Sequence, residues 1–162
     1  MKRLKFFIII LAVCFLQGCN MLDDPKYIHF STKSGPSFYT NEVYSKILSN
    51  EDFTMVLFIN NLYKDIPIDS SENEVIKNFI FSVPEDNFKD EDIPSETEPY
   101  ELRLEFDDGS KYIINVYDEK TVALFPWDGN FKEDVISMEK VPIHYNLYDF
   151  CTHIEKEDKS IK

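Results

Sequence analysis

Alanine is almost missing from this chain: of 162 residues only Ala12 and Ala123 carry it, while Ile, Lys, Asn, Phe and Tyr abound. Such usage fits an AT-rich genome. Motifs that carry chemistry are also absent. There is no Gly-x-Ser-x-Gly elbow, His-Glu-x-x-His pair, phosphate-cradling glycine loop or Cys-x-x-Cys. That leaves no spacing signature for an elbow-type hydrolase, a zinc peptidase, a nucleotide-phosphate site or a dithiol redox centre. Positive charge is scarce as well, with 17 Lys and Arg against 30 Asp and Glu and a formal net charge of −13. Nucleic acids and anionic headgroups are bound through clustered Lys and Arg, so neither is an expected partner. Long apolar runs are lacking too: the longest, Phe6 to Leu16, holds about ten residues where a spanning helix needs roughly twenty.

What is present begins with that run. Lys2, Arg3 and Lys5 precede it, and Leu16-Gln17-Gly18-Cys19 closes it. A positive start, a short apolar middle and a small residue before the cut describe a secretory signal rather than a membrane anchor. The Leu-x-Gly-Cys ending resembles the lipobox of bacterial lipoproteins. That resemblance implies cleavage after Gly18, diacylglycerol on the Cys19 thiol and an extracytoplasmic, membrane-anchored protein at the cell surface. An ordinary signal peptide, with Cys19 incidental, is the alternative. Cleavage would remove three basic residues and no acidic one. With Cys14 removed and Cys19 acylated, Cys151 alone would remain, leaving no intrachain disulfide. The expected order is signal peptide 1–18, lipidated cysteine and tether 19–25, one domain over 26–155 and a charged tail over 156–162.

Within the domain, Lys26 to Thr32 alternates partly, as a first strand would. Thr40 suits the cap of a helix carrying Val43, Tyr44, Ile47 and Leu48 on one face. Phe53 to Ile59 reads as a strand, or as that helix continued, with Asn60-Asn61 turning into a return over Leu62 to Ile68 that Pro67 places at an edge. Ser71-Glu72-Asn73-Glu74 has the form of a capping box ahead of the stripe Val75, Ile76, Phe79, Ile80 and Val83. Seven carboxylates and three prolines between 84 and 99 predict an exposed loop. Without EF-hand spacing, no calcium or other metal site is expected there.

The clearest sheet signal follows. Tyr100, Leu102, Leu104 and Phe106 alternate with Glu101, Arg103 and Glu105, and Asp107-Asp108-Gly109-Ser110 turns the chain. Lys111 to Tyr117, Thr121 to Trp127 and Val135 to Met138 extend a meander of three or four antiparallel strands. Pro142 opens a last helix, with Ile143, Leu147, Phe150, Cys151 and Ile154 along one side. The fold class is α+β: a largely antiparallel sheet with the 71–83 and 142–154 helices on one face.

Catalytic candidates are few. Cys151 lies on an apolar stripe, which predicts a buried, inert thiol. His153 sits two residues away, on the opposite side of the helix, and is better placed to meet Asp149. Ala123 to Phe131 offers the best recognition surface: Phe125, Trp127 and Phe131 around a glycine turn, where an exposed Trp127 would stack on a sugar or anchor a protein and a buried one would be core.

The stretch Phe106 to Asn130, with Val141 to Ile154, also resembles small uncharacterised lipoproteins of low-GC Gram-positive bacteria. The residues that carry it are Phe106 to Tyr112, Pro126-Trp127-Asp128-Gly129-Asn130 and Tyr145-Asn146-Leu147-Tyr148. It implies an envelope location and an α+β domain, with no site to transfer. The reading favoured is a lipid-anchored extracytoplasmic binding module without catalysis or cofactor, its partner an envelope protein or glycan. An inhibitor or immunity-type protein meeting a basic partner ranks second, and an envelope enzyme third.

Overall fold

The computed structural model describes residues 33–160 other than 90–92 and 96. The signal, Cys19, the tether and the strand expected over 26–32 therefore lie outside the described residues, as do Asp90, Glu91, Asp92 and Glu96 of the acidic stretch.

Helix α1 (Phe38–Leu48) leads into β1 (Phe53–Ile59), which a short 3-10 turn joins to β2 (Lys64–Ile68). Helix α2 (Asn73–Ser82) follows, then β3 (Phe88–Lys89), the strands β4 (Tyr100–Phe106), β5 (Lys111–Val116), β6 (Thr121–Pro126) and β7 (Asp134–Ser137), and helix α3 (Leu147–Ser160). The strands form one seven-stranded sheet in the order β2-β1-β4-β5-β6-β7-β3. Every pairing is antiparallel. The fold class and the four-strand meander are as the sequence predicts. Phe53–Ile59 is a strand, not a helix continued, and its burial alternates residue by residue. Pro67 does sit on an edge strand, where its missing N–H breaks no ladder.

Alternation sorts the strand residues onto two faces. Met55, Leu57, Leu102, Leu104, Ile114, Val122, Leu124 and Ile136 belong to one buried cluster with Val43 and Ile47 of α1, Ile76, Phe79 and Ile80 of α2, and Leu147, Phe150 and Cys151 of α3. All three helices thus cover the same face. Side chains of the other parity are left on the opposite face.

Several local expectations are corrected. Thr40 does not cap α1. It lies inside the helix, buried, where its N–H and hydroxyl donate to Asp134 Oδ2 at 2.7 and 2.9 Å. Asp134 is fully buried, and its Oδ1 lies 2.8 Å from Lys33 Nζ. A carboxylate from β7 therefore serves the first-turn donors of a helix 94 residues earlier. Tyr44 and Leu48 are exposed, since the buried side of α1 runs through Tyr39, Thr40, Val43 and Ile47. The helix ends with Asn50 in the left-handed region (φ 59°), where its N–H reaches Ile47 O and that of Glu51 reaches Lys46 O.

The capping box at Ser71 does not form. Asp69 accepts from the Ser71 N–H at 2.9 Å, a 3-10 turn occupies Ser70–Glu72, and Glu74 pairs with Lys77 instead. Val75 and Val83 are only partly buried. Part of the stretch expected as an exposed loop is ordered: β3 pairs with β7, and buried Asn87 donates to Ser137 O at 2.6 Å. Pro142 precedes a 3-10 turn (Ile143–Tyr145) rather than the helix itself, and Ile143 is exposed. Asn146 Oδ1 caps α3, accepting from the N–H groups of Tyr148 and Asp149 at 3.0 and 3.3 Å. The helix then continues to Ser160, through most of the stretch expected as a tail.

Candidate functional site

The open face of the sheet carries the site. Cross-strand partners share a face, so the register places Lys111, Glu105 and Thr54 in one row and Phe125, Ile113, Arg103, Val56 and Pro67 in the next. Val56, Pro67 and Ile113 form an apolar floor. Above it stand ion pairs: Lys111 Nζ to Glu105 Oε2 at 3.0 Å, and Arg103 Nη1 to Asp65 Oδ1 at 3.1 Å. Arg103 also meets Glu101 and lies 4.4 Å above the centre of the Phe58 ring. The floor, the two ion pairs and Thr54 line a groove of about 580 Å³ with Trp127 at its β6 end.

Trp127 is 66% exposed, so the sequence alternative that made it core does not hold. Its backbone is nevertheless held from two sides. The Trp127 N–H donates to Lys111 O at 2.9 Å, extending the β5–β6 ladder one step beyond the strand. The Gly129 N–H then closes a turn on Pro126 O at 3.1 Å. Space there is tight: a Cβ would sit 3.0 Å from the Tyr39 hydroxyl and 3.1 Å from Pro126 Cγ, so a side chain would require these neighbours to give by a few tenths of an ångström. That hydroxyl in turn accepts the Phe131 N–H at 2.8 Å, pinning the loop to α1. The ring is displayed to solvent on a backbone whose position is fixed, which lowers the ordering cost of binding.

The three aromatic candidates do not stay together. Phe125 lies opposite Ile113 in the register, on the groove's side of the sheet, and is half-buried. Phe131 turns away, edge-on to Phe38 at 5.5 Å between centroids, and belongs to the anchorage of the loop on α1. What the sequence reading missed is the polar half of the groove. Arg103, Glu105 and Lys111 read as the wet side of a hairpin, and nothing local shows that β2 brings Asp65 and Pro67 alongside.

The hairpin that carries Lys111 is rigid at its tip. Gly109 takes φ 86°, as the turn requires, and Asp108 Oδ1 accepts from the Ser110 N–H and hydroxyl. Lys46 of α1 reaches Asp108 at 2.5 Å and Glu51 at 3.0 Å. That hydrogen bond from Lys46, with those from Ser110, holds the Asp108 carboxyl well below the usual carboxylate range. Burial by itself would lower the Lys46 ammonium, but the two carboxylates outweigh it and raise it.

The catalytic candidates lie elsewhere. Cys151 is fully buried, and burial pushes its thiol up, away from nucleophilic thiolate. His153 is exposed, with Glu157 at 3.4 Å in place of the Asp149 expected beside it. His144 packs edge-on to Tyr145, and neither histidine lines the groove. Near α3, burial and then a hydrogen bond to Glu155 raise the Tyr100 phenol to about 12, so it remains a protonated donor to that carboxylate at 2.6 Å. Among the described residues no cluster of three or more His, Cys, Asp or Glu is placed to hold a metal, and no helix is long and apolar enough to cross a membrane.

Comparison with known proteins gives a fold and a family. A crystal structure of a Clostridium perfringens protein, described as a "Putative Lipoprotein", superposes with a TM-score of 0.70 at 21% identity, covering 77% of this chain and 99% of that one. At that identity the likeness is one of fold. No curated protein matches the chain. A family model described as "Domain of unknown function (DUF4883)" matches residues 33–151, which span the sheet, α1, α2 and the start of α3. The chain belongs to the DUF4883 family.

Proposed function

We propose that this chain is a lipid-anchored extracytoplasmic binding module, tethered through Cys19, that recognises its ligand on the open face of the sheet and carries out no catalysis. The observation that carries the reading is Trp127, exposed above an apolar-floored groove on a backbone fixed from both sides. Large exposed aromatics on a rigid frame anchor ligands at low entropic cost. The Leu16-Gln17-Gly18-Cys19 ending supports the anchor, and the fold shared with the Clostridium perfringens protein is in keeping with it. Burial of the one thiol in the domain and the absence of His144 and His153, the two described histidines, from the groove lining favour binding over covalent chemistry.

The test has two arms on the full-length chain. Wild type should take up a fatty-acid probe and partition with membranes, since two or more acyl chains anchor stably where one is marginal, and Cys19→Ala should lose both properties. The emission of Trp127, the only tryptophan, should shift on addition of an envelope extract and not of a cytosolic one. Labelling of Cys19→Ala at the wild-type level overturns the anchor. An unmoved emission spectrum overturns the recognition face.

A further inference from the structure

We infer that the groove binds a neutral oligosaccharide, a proposal that rests on reading the open face as the recognition surface. The first argument is charge. The chain carries a net charge of −13, yet the groove is balanced, with Arg103 and Lys111 facing Asp65 and Glu105. The cations are already paired across the sheet, at 3.1 and 3.0 Å. A charged ligand meets a group of its own sign beside each opposite charge and gains little from a lining of zero net charge. A hydroxylated neutral ligand leaves the pairs in place. A guanidinium has five N–H donors, an ammonium three and a carboxylate about four acceptor positions, so each pair keeps capacity for further hydrogen bonds. These side chains are half-exposed, which puts that capacity within a ligand's reach.

The second argument is the mixture of surfaces. A pyranose presents a flat C–H face and a rim of hydroxyls that both donate and accept. Trp127 offers the matching apolar platform. Beside it, Lys111, Glu105 and Thr54 alternate donor, acceptor and hydroxyl along a single row, over the floor of Ile113, Val56 and Pro67. An amphipathic peptide helix would need a wide apolar strip, which the ion pairs interrupt.

Shape gives the third. The groove runs from β2 across β1, β4 and β5 to the end of β6, four inter-strand steps of about 4.8 Å or roughly 19 Å. Its volume of about 580 Å³ lies within the range of small-molecule sites. A long, shallow track of this kind suits a linear oligomer more than a single sugar.

Calorimetric titration of the full-length chain in detergent with chitotetraose and cellotetraose, and with tetragalacturonate as an anionic counterpart, tests the inference. Saturable binding of a neutral tetramer is expected, with Trp127→Ala weakening it about tenfold or more and Trp127→Phe retaining most of it. Circular dichroism melts show whether each variant is folded. Binding of tetragalacturonate alone overturns the neutral-sugar proposal. So does a response of Trp127 to envelope extract with none to either neutral tetramer, and that result leaves the binding-module reading intact. Silence to every probe, extract included, removes both.

Discussion

The two faces of the sheet are built from the same strands and differ in everything else. Leu57, Leu102, Ile114 and Leu124 are fully buried beneath three helices, whereas their chain neighbours Val56 and Arg103 line a groove with Glu105, Lys111 and Trp127. A strand offers both faces equal backbone support, so the contrast comes from what covers each. On the helix side apolar area leaves water and holds the fold together. On the open side the same strands act as a rigid frame that spaces ion pairs and one aromatic ring.

That contrast is sharpest in mutational stability. Phe79→Ala and Leu104→Ala, each removing a fully enclosed side chain, should cost about 2–5 kcal/mol in denaturant melts. Losses below about half a kcal/mol at both sites would mean the helix side is not the core. Asp134→Ala comes next. It strips Thr40 of its acceptor and leaves Lys33 without its carboxylate, and a loss of about 2 kcal/mol is expected. Equal stability with alanine would show that water serves those donors as well.

A smaller effect depends on pH. The Asp108 carboxyl titrates lower in the folded chain than in the unfolded one, so its contribution is present above about pH 4 and is lost as pH falls through its folded value. Asp108→Asn should therefore lower Tm at pH 6, and the difference from wild type should narrow steadily as the pH falls below about 4. A gap that stays constant would mean Lys46 does not distinguish charged from neutral. The smallest effect belongs to the open face: Trp127→Ala should move stability by no more than about 0.5 kcal/mol. A core-sized loss would erase the distinction between the faces.

Sequence by itself determined the pieces whose signals are local. The alternation of Tyr100, Leu102, Leu104 and Phe106 specifies which face is buried because a strand has a period of two, and Asp107 to Ser110 must turn because Gly109 alone accepts φ 86° there without strain. Pro67 announced an edge. The stripe Ile76, Phe79 and Ile80 announced a helix packed on a core. Asn146 ahead of Leu147 is a local capping signal of the same kind. Tertiary structure alone decided the rest. The first turn of α1 is completed by Asp134 from the far end of the chain, and no local pattern around Thr40 encodes a donor's partner 94 residues away. Whether Trp127 was core or surface was equally open, since a strand-end aromatic beside a glycine turn suits either. It is surface because its ring follows Lys111 onto the face that α1, α2 and α3 leave uncovered, while Phe131, four residues on, crosses to α1. The groove itself exists only once β2 folds back beside β1 and β1 pairs with β4, setting Asp65 against Arg103 across a separation of 38 residues.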